Sequence, residues 1–189
     1  PVSRALAVLI VVPLSVALSG ETLSVWGLAG VGLIASALGL LGLDNRGDKA
    51  LPRSALGWIV LAGFSTAAYV MCDAQGVRSA GSALAYATVA SQSNAVLMAW
   101  RQRRLGSPLA LVRDNFAVAA PAACASAVSY LAILWVFSRA PIAPSAALRD
   151  TSAVLAILIA VIWLKEPMTR WRLVAVALAA AAVPLLRLA

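Results

Sequence analysis

An arginine and an aspartate stand side by side inside an apolar stretch long enough to cross a membrane. Arg149 and Asp150 are the only charged residues between Ser145 and Leu164. Charges at membrane depth are costly unless they face protein or water, so they commonly mark a functional site. The guanidinium of Arg149 can bind a carboxylate, and Asp150 can bind an amine or accept a proton. Both are expected near the start of one helix, where the helix dipole favours the charge of Asp150 only. The alternative is that the two charges neutralise each other and only hold helices together.

Polar residues in the other apolar stretches recur at helical spacing. Ser65, Tyr69 and Asp73 follow at intervals of four and share one helix face. Lone serines of this kind commonly join helices by hydrogen bonds, whereas charged and larger polar groups favour a water-filled pathway. We therefore predict a substrate pathway lined by Arg4, Tyr69, Asp73, Gln92, Asn94, Tyr130, Arg149 and Asp150.

The composition is that of a membrane protein. Of 189 residues, 62% are hydrophobic and 12% are charged, whereas globular proteins average about half apolar and a quarter charged. Proteins cross membranes as helices or as closed barrels. The apolar runs here are about twenty residues long, which is about twice the length of a barrel strand. The predicted fold class is therefore an all-α polytopic membrane protein.

Seven apolar spans follow one another with short connections. They cover roughly residues 1–18, 22–43, 54–72, 80–100, 115–138, 142–164 and 168–188. The net charge of +8 does not indicate nucleic-acid binding, because the lysines and arginines collect mostly in short loops, where they orient a membrane protein. The chain contains no histidine, and Cys72 and Cys124 lack the spacing of a metal site. We predict neither a metal nor another cofactor.

A shift of 145 residues places the first two spans over the last two. The pairs that then coincide are Arg4 with Arg149, Glu21 with Glu166, and Trp26 with Trp171. Five spans lie between the two glutamates, and because this number is odd, the glutamates lie on opposite sides of the membrane. The pattern predicts an inverted repeat, the architecture of many secondary transporters.

The repeat predicts how the chain is organised. Residues 52–189 form a complete five-helix second repeat, and residues 1–43 form the last two helices of the first repeat. The whole fold is then a ten-helix inverted repeat of five plus five, of which seven helices are visible. About three helices would precede Pro1.

The segments around the two glutamates resemble a known family. They read ALSGETLSVWGLAGVGLIASALGLLGL in the first half and APIAPSAALRDTSAVLAILIAVIWLKEPMTRWR in the second. Each has an apolar helix, a glutamate, a Leu/Met-Ser/Thr step and a further helix rich in small residues. DAQGVRSAGSALAY (73–86) is similar to the turn after the first helix of the family's second half. In these features the chain resembles the EamA-type transporters of the drug/metabolite transporter superfamily.

The resemblance implies a secondary carrier that moves small metabolites or drugs across the plasma (bacterial inner) membrane, often as an exporter. Its partners would be the lipid bilayer, the carried molecule and, in some carriers, a coupling ion. The chain lacks the Gly-x-x-x-x-Gly-Lys-Ser/Thr loop that binds nucleotide phosphates, so we expect no ATP hydrolysis. We also expect no enzyme activity, because its acidic residues are not accompanied by a histidine or cysteine cluster. The alternative is a truncated, non-transporting component that assembles with the rest of a carrier.

Glu21 and Glu166 lie in turns between helices. A carboxylate in such a turn can bind the free N–H groups at the start of the next helix. We favour this structural role over a gate or a proton site.

The charge distribution and the resemblance predict opposite orientations. Loops 44–53, 101–114 and 165–172 contain ten Lys and Arg residues, against three in the opposite loops and tail, namely Arg78, Arg139 and Arg187. The positive-inside rule places the ten-charge side in the cytoplasm and the C-terminus outside. The resemblance implies a cytoplasmic C-terminus.

Overall fold

The computed structural model describes residues 2–44, 53–103, 115–163 and 167–188, together with residues 110, 113 and 165. The regular elements in these residues are helices, which confirms the predicted all-α class. Their bounds are α1 Val2–Ser19, α2 Val25–Asp44, α3 Arg53–Ala80, α4 Ala83–Gln102, α5 Phe116–Phe137, α6 Ile142–Asp150, α7 Ser152–Trp163 and α8 Arg170–Arg187.

Within the described residues, five stretches are long and apolar enough to cross a membrane, which confirms a polytopic membrane protein. They are Val2–Ser19, Val25–Gly42, Ala55–Ala80, Phe116–Phe137 and Ile142–Trp163. The helices α4 and α8 are of similar length but less apolar. The reason is a polar run at residues 91–94 of α4 and three arginines in α8.

The end of the third span differs from the prediction. α3 continues to Ala80 instead of ending near residue 72, so the connection that we expected between spans 54–72 and 80–100 is helical. The turn itself contains Gly81 and Ser82. Gly81 has a φ of +65°, a left-handed conformation that glycine adopts without strain. The Ser82 side chain accepts a hydrogen bond from the Ala85 N–H at 3.3 Å and caps α4.

The chain divides into two compact units. Unit 1 comprises Pro1–Cys72 and Ala140–Ala189, and unit 2 comprises Asp73–Arg139. Unit 1 therefore combines helices from both predicted repeats, whereas unit 2 lies within the second.

The core of unit 1 forms where α2 packs along α8, with α1, α6 and α7 against them. Small residues allow α2 and α8 to approach closely, since a Cβ atom added at Gly30 would lie 2.7 Å from Leu186 Cγ. The other buried residues of this core are Ala5, Val8, Val31, Ile34, Ala37, Leu38, Leu41, Ala147, Val154, Ala175, Ala179 and Ala182.

The helices α2 and α8 begin with the same kind of cap. Ser24 Oγ accepts a hydrogen bond from the Gly27 N–H at 3.0 Å, and Thr169 Oγ1 accepts one from the Arg172 N–H at 3.2 Å. Ser24 and Thr169 are separated by the 145-residue offset of the sequence repeat. At the far end of α2, Asp44 Oδ2 pairs with Arg172 Nε at 3.1 Å, so α2 and α8 run antiparallel.

In unit 2, α4 packs against α5. The end of α3 meets the end of α5, where Arg78 Nε donates a hydrogen bond to the Phe137 carbonyl at 2.9 Å. A cation at this position satisfies a carbonyl at a helix C-terminus and complements the partial negative charge there. Leu134 and Phe137 of α5 are fully buried.

Candidate functional site

Among the residues that the structure describes, polar side chains form two clusters, one in each unit. In unit 1, Arg149 of α6 lies over the aromatic ring of Tyr69 of α3, with Cζ 5.6 Å from the ring centre. This distance is typical of a cation–π interaction, which orients the planar guanidinium. Both side chains are exposed on unit 1, so the guanidinium remains accessible to a further group.

Asp150 follows Arg149 and is half-buried. α1 packs against α6, and Arg4 of α1 and Arg149 both lie near the Asp150 carboxylate. These two arginines are the pair that the 145-residue offset aligns. The structure thus gathers four of the predicted pathway residues, from three helices, into one cluster: Arg4, Tyr69, Arg149 and Asp150.

The helix that carries Arg149 and Asp150 is interrupted directly after them. α6 ends at Asp150, and the Thr151 N–H donates to the Leu148 carbonyl at 3.2 Å. The Thr151 hydroxyl donates to the same carbonyl at 2.6 Å. A hydrogen bond that reaches three residues back tightens the last turn of a helix. The helical path nevertheless continues into α7, because the Leu155 N–H donates to the Thr151 carbonyl at 3.1 Å. Ile142–Trp163 is long and apolar enough to form one membrane span, as predicted.

In unit 2, Asp73 of α3 accepts hydrogen bonds from two tyrosine hydroxyls. Tyr86 of α4 and Tyr130 of α5 both donate to Asp73 Oδ1, at 3.0 and 3.1 Å. Asp73 is 8% exposed, and both tyrosines are half-buried. The structure thus brings the predicted residues Asp73 and Tyr130 together and adds Tyr86.

Tyr86 is the functional candidate that the sequence analysis missed. The turn at Gly81 and Ser82 brings the start of α4 back to the last turns of α3, so Tyr86 lies against Gly76, which leaves room for its ring. A Cβ atom added at Gly76 would lie 2.7 Å from Tyr86 Cζ and 2.9 Å from Tyr86 Oη. The contact between Tyr86 and Asp73 could not be predicted with α3 ending near residue 72. It could be predicted with α3 ending at Ala80.

Gln92 and Asn94 belong to neither cluster. Both side chains are exposed on α4, and among the described residues no hydrogen bond joins them to another predicted pathway residue. Gln92 lines an open depression of about 740 Å³ on unit 2, together with Ser93, Val96, Leu97 and Trp100. Their assignment to a pathway stays a prediction.

Glu21 lies at the start of a helix other than the next one. Its Oε2 accepts a hydrogen bond from the backbone N–H of Ile142 at 2.8 Å, and Ile142 is the first residue of α6. The following helix, α2, has Ser24 at its start instead. Glu21 therefore connects the turn between α1 and α2 to the positively polarised end of α6. Glu166 lies outside the described residues.

The two clusters offer guanidinium, carboxylate and phenol groups. Among the residues that the structure describes, no group of three or more His, Cys, Asp and Glu lies close enough together to hold a metal ion. The arginines of unit 1 suit an anionic group, and the carboxylates of both units suit an amine or a proton.

A comparison with models of known protein families identifies the class of membrane protein. The model of the EamA-like transporter family matches residues 53–188, well over half of the chain. The chain belongs to the EamA-like transporter family. The match runs from the start of α3 to the end of α8, so this EamA-like region includes Asp73, Tyr130, Arg149 and Asp150, whereas Arg4 precedes it. It confirms the resemblance to the drug/metabolite transporter superfamily. No curated protein and no solved structure gives a significant match.

Proposed function

We propose that the protein is a secondary transporter that exports small metabolites or drugs across the plasma (bacterial inner) membrane. The observation that carries this proposal is the unit 1 cluster. A member of a transporter family places Arg149, Asp150 and Tyr69 together within its apolar helices. Charges are retained at such depth mainly where they face a pathway or another charge. The chain lacks a phosphate-binding loop, so the energy for transport comes from an ion gradient or from the gradient of the carried molecule.

Each residue of the unit 1 cluster has a distinct role in this proposal. Arg149 binds an anionic group of the carried molecule, because its guanidinium offers several N–H donors in one plane. The ring of Tyr69 holds that plane in position. Asp150 binds an amine of the same molecule or accepts a proton. Arg4 acts as the counterpart of Arg149 from the other repeat and limits the negative potential around Asp150.

The architecture that we propose is a ten-helix inverted repeat. Residues 1–43 supply the last two helices of the first repeat, and residues 52–189 supply the second. The caps at Ser24 and Thr169 support this organisation, because they share the 145-residue offset.

Export can be measured without knowing the carried molecule. Cells that express the full-length protein are compared with empty-vector cells by mass spectrometry of the metabolites that accumulate in the medium. We expect a specific set of metabolites to rise with the wild type, and to return to the vector level with Arg149→Ala and with Asp150→Asn. Arg187→Ala, at the exposed end of α8, is the matched control and should export normally.

Two results would separate the parts of this proposal. If no metabolite rises with the well-expressed wild type, the protein is not an exporter of metabolites. If Arg149→Ala and Asp150→Asn export like the wild type, the assignment of the unit 1 cluster to the pathway is abandoned.

A second candidate function is that of a component that transports only together with further helices. The exposed polar run at residues 91–94 of α4 favours it, because lipid does not satisfy such groups and another helix can. Liposomes with the purified chain should then show no flux of the exported metabolites. Addition of a fragment that carries the first three helices of the proposed ten-helix repeat should restore it, and flux with the chain by itself would refute this candidate.

A further inference from the structure

The Asp73 cluster joins three helices of unit 2 through a single oxygen atom. The hydroxyls of Tyr86 from α4 and Tyr130 from α5 converge on Asp73 Oδ1 of α3 at 3.0 and 3.1 Å. The carboxyl group is more than nine-tenths buried and lies within the apolar span Ala55–Ala80. A hydrogen bond to an ionised acceptor is about twice as strong as one between neutral groups. The hydrogen bonds that Asp73 accepts from α4 and α5 are therefore stronger when its carboxyl group is ionised than when it is protonated.

The position of the Tyr86 hydroxyl depends on how closely its ring packs against α3. Its ring lies directly against Gly76, one helical turn after Asp73 on α3. A glycine at this place lets the ring approach the backbone of α3, and the ring in turn places its hydroxyl at the carboxylate. The contacts of α3, α4 and α5 therefore fix the surroundings of the Asp73 carboxyl group.

The helices α3, α4 and α5 carry other titratable groups besides Asp73, Tyr86 and Tyr130. α4 carries Arg101 besides Tyr86, and at 1.5 Å rise per residue it lies about 22 Å further along that helix. α5 carries Cys124 besides Tyr130, about 9 Å away along the helix. On α3, Arg78 lies five residues after Asp73 and donates its Nε–H to the Phe137 carbonyl. The remaining titratable residues of α3 are Arg53, Tyr69 and Cys72.

We propose that Asp73 is the binding site of a proton, with Tyr86 and Tyr130 as its hydrogen-bond partners. The role of this proton in driving transport rests on the proposed function, whereas proton binding itself does not. A proton needs no cavity, so a carboxylate as buried as that of Asp73 can bind it. One proton from water adds to a carboxylate oxygen, both tyrosines keep their own protons, and no other bond breaks.

Proton binding changes the contacts among the three helices. The neutral carboxyl group accepts weaker hydrogen bonds from the tyrosines, and its own O–H becomes a donor. The two hydrogen bonds that join α4 and α5 to Asp73 of α3 are therefore stronger in one protonation state than in the other. A carrier needs such a difference between states, because a ligand shifts a conformational equilibrium only through unequal interaction with its two states.

Infrared difference spectroscopy of the purified full-length protein in lipid tests the site directly. As the pH is stepped, the protonated carboxyl group of Asp73 should give a carbonyl band that rises and falls with a single midpoint. We expect this band to be lost in Asp73→Asn and to return in Asp73→Glu. In Tyr86→Phe and Tyr130→Phe it should move in both frequency and midpoint. Asp44→Asn, which removes the carboxylate paired with Arg172, is the matched control and should leave the band unchanged.

Two outcomes of this titration overturn the proposal. One is a set of carboxyl bands in Asp73→Asn that equals that of the wild type. The other is an Asp73 band that is identical in the wild type and in both phenylalanine variants, since a carboxyl group held only by packing would not respond to them. Size-exclusion profiles of each variant confirm that the protein is folded.

The coupling role is tested separately, by metabolite export from cells with and without a protonophore. The wild type should lose export when the proton gradient collapses, whereas Asp73→Asn should lose the gradient-dependent part entirely and keep any residual export unchanged. Export by Asp73→Asn that responds to the protonophore like the wild type refutes coupling through Asp73. Absence of export from the wild type, with a normal infrared titration, contradicts the proposed function and leaves the proton site in place.

Discussion

Replacement of Gly76 by alanine tests the packing that places Tyr86 at Asp73. The new Cβ atom would lie 2.7 Å from Tyr86 Cζ, well inside van der Waals contact, and neither the ring nor the α3 backbone can yield without moving the hydroxyl. Overpacking of this kind costs about 1–3 kcal/mol. Loss of the hydrogen bond to the Asp73 carboxylate costs about 1.5–3 kcal/mol more. Alanine regains about 1 kcal/mol as the better helix former.

The free energy of unfolding of Gly76→Ala should therefore fall by about 1.5–5 kcal/mol. The assay is reversible unfolding of the purified protein in mixed detergent micelles. In a Tyr86→Ala background the ring is absent, so the same substitution should be neutral or stabilising by about 1 kcal/mol. Such a difference between backgrounds measures the coupling of the two positions.

Gly57→Ala is the matched control, because it lies in the same helix and a Cβ atom there meets nothing within 4 Å. It should leave the protein as stable or more stable. If Gly76→Ala is as harmless as Gly57→Ala, or destabilises equally with and without the Tyr86 ring, the proposed contact between Gly76 and Tyr86 is refuted.

Three further predictions concern the ends of helices in unit 1. Glu21→Gln should lower the free energy of unfolding by about 0.3–1 kcal/mol, because it removes a negative charge from the N-terminus of α6. Asp44→Asn and Arg172→Gln should each cost about 1.5–3 kcal/mol and be far from additive in the double variant, since their ion pair is mostly buried. Ser24→Ala and Thr169→Ala should each cost about 1 kcal/mol, because each removes an N-cap.

All three are measured by the same unfolding assay, with controls chosen from exposed positions of the same helices. Glu21→Gln that is as stable as the wild type would show that the contact with α6 carries no electrostatic stabilisation. Additive effects of Asp44→Asn and Arg172→Gln would contradict a direct ion pair. A substitution of Ser36, an exposed hydroxyl in the middle of α2, should have little effect beside the two cap substitutions.

The sequence by itself determined the class of the protein. Apolar runs of membrane length require helices, because lipid offers the backbone no hydrogen-bond partners, and hydrophobic length is a local property that can be read along the chain. The adjacent charges Arg149 and Asp150 can be identified in the same way, because they interrupt such an apolar run. The family was recognisable from the segments around Glu21 and Arg149, and the match over residues 53–188 confirmed it.

Only the tertiary structure decided which polar groups meet. Glu21 contacts Ile142, 121 residues away, and Asp73 meets Tyr130 across 57 residues. No local rule specifies such pairs, because they depend on which helix faces pack together. The contact of Tyr86 with Asp73 depends on α3 continuing to Ala80, because the position of a turn determines which residues of consecutive helices lie opposite each other.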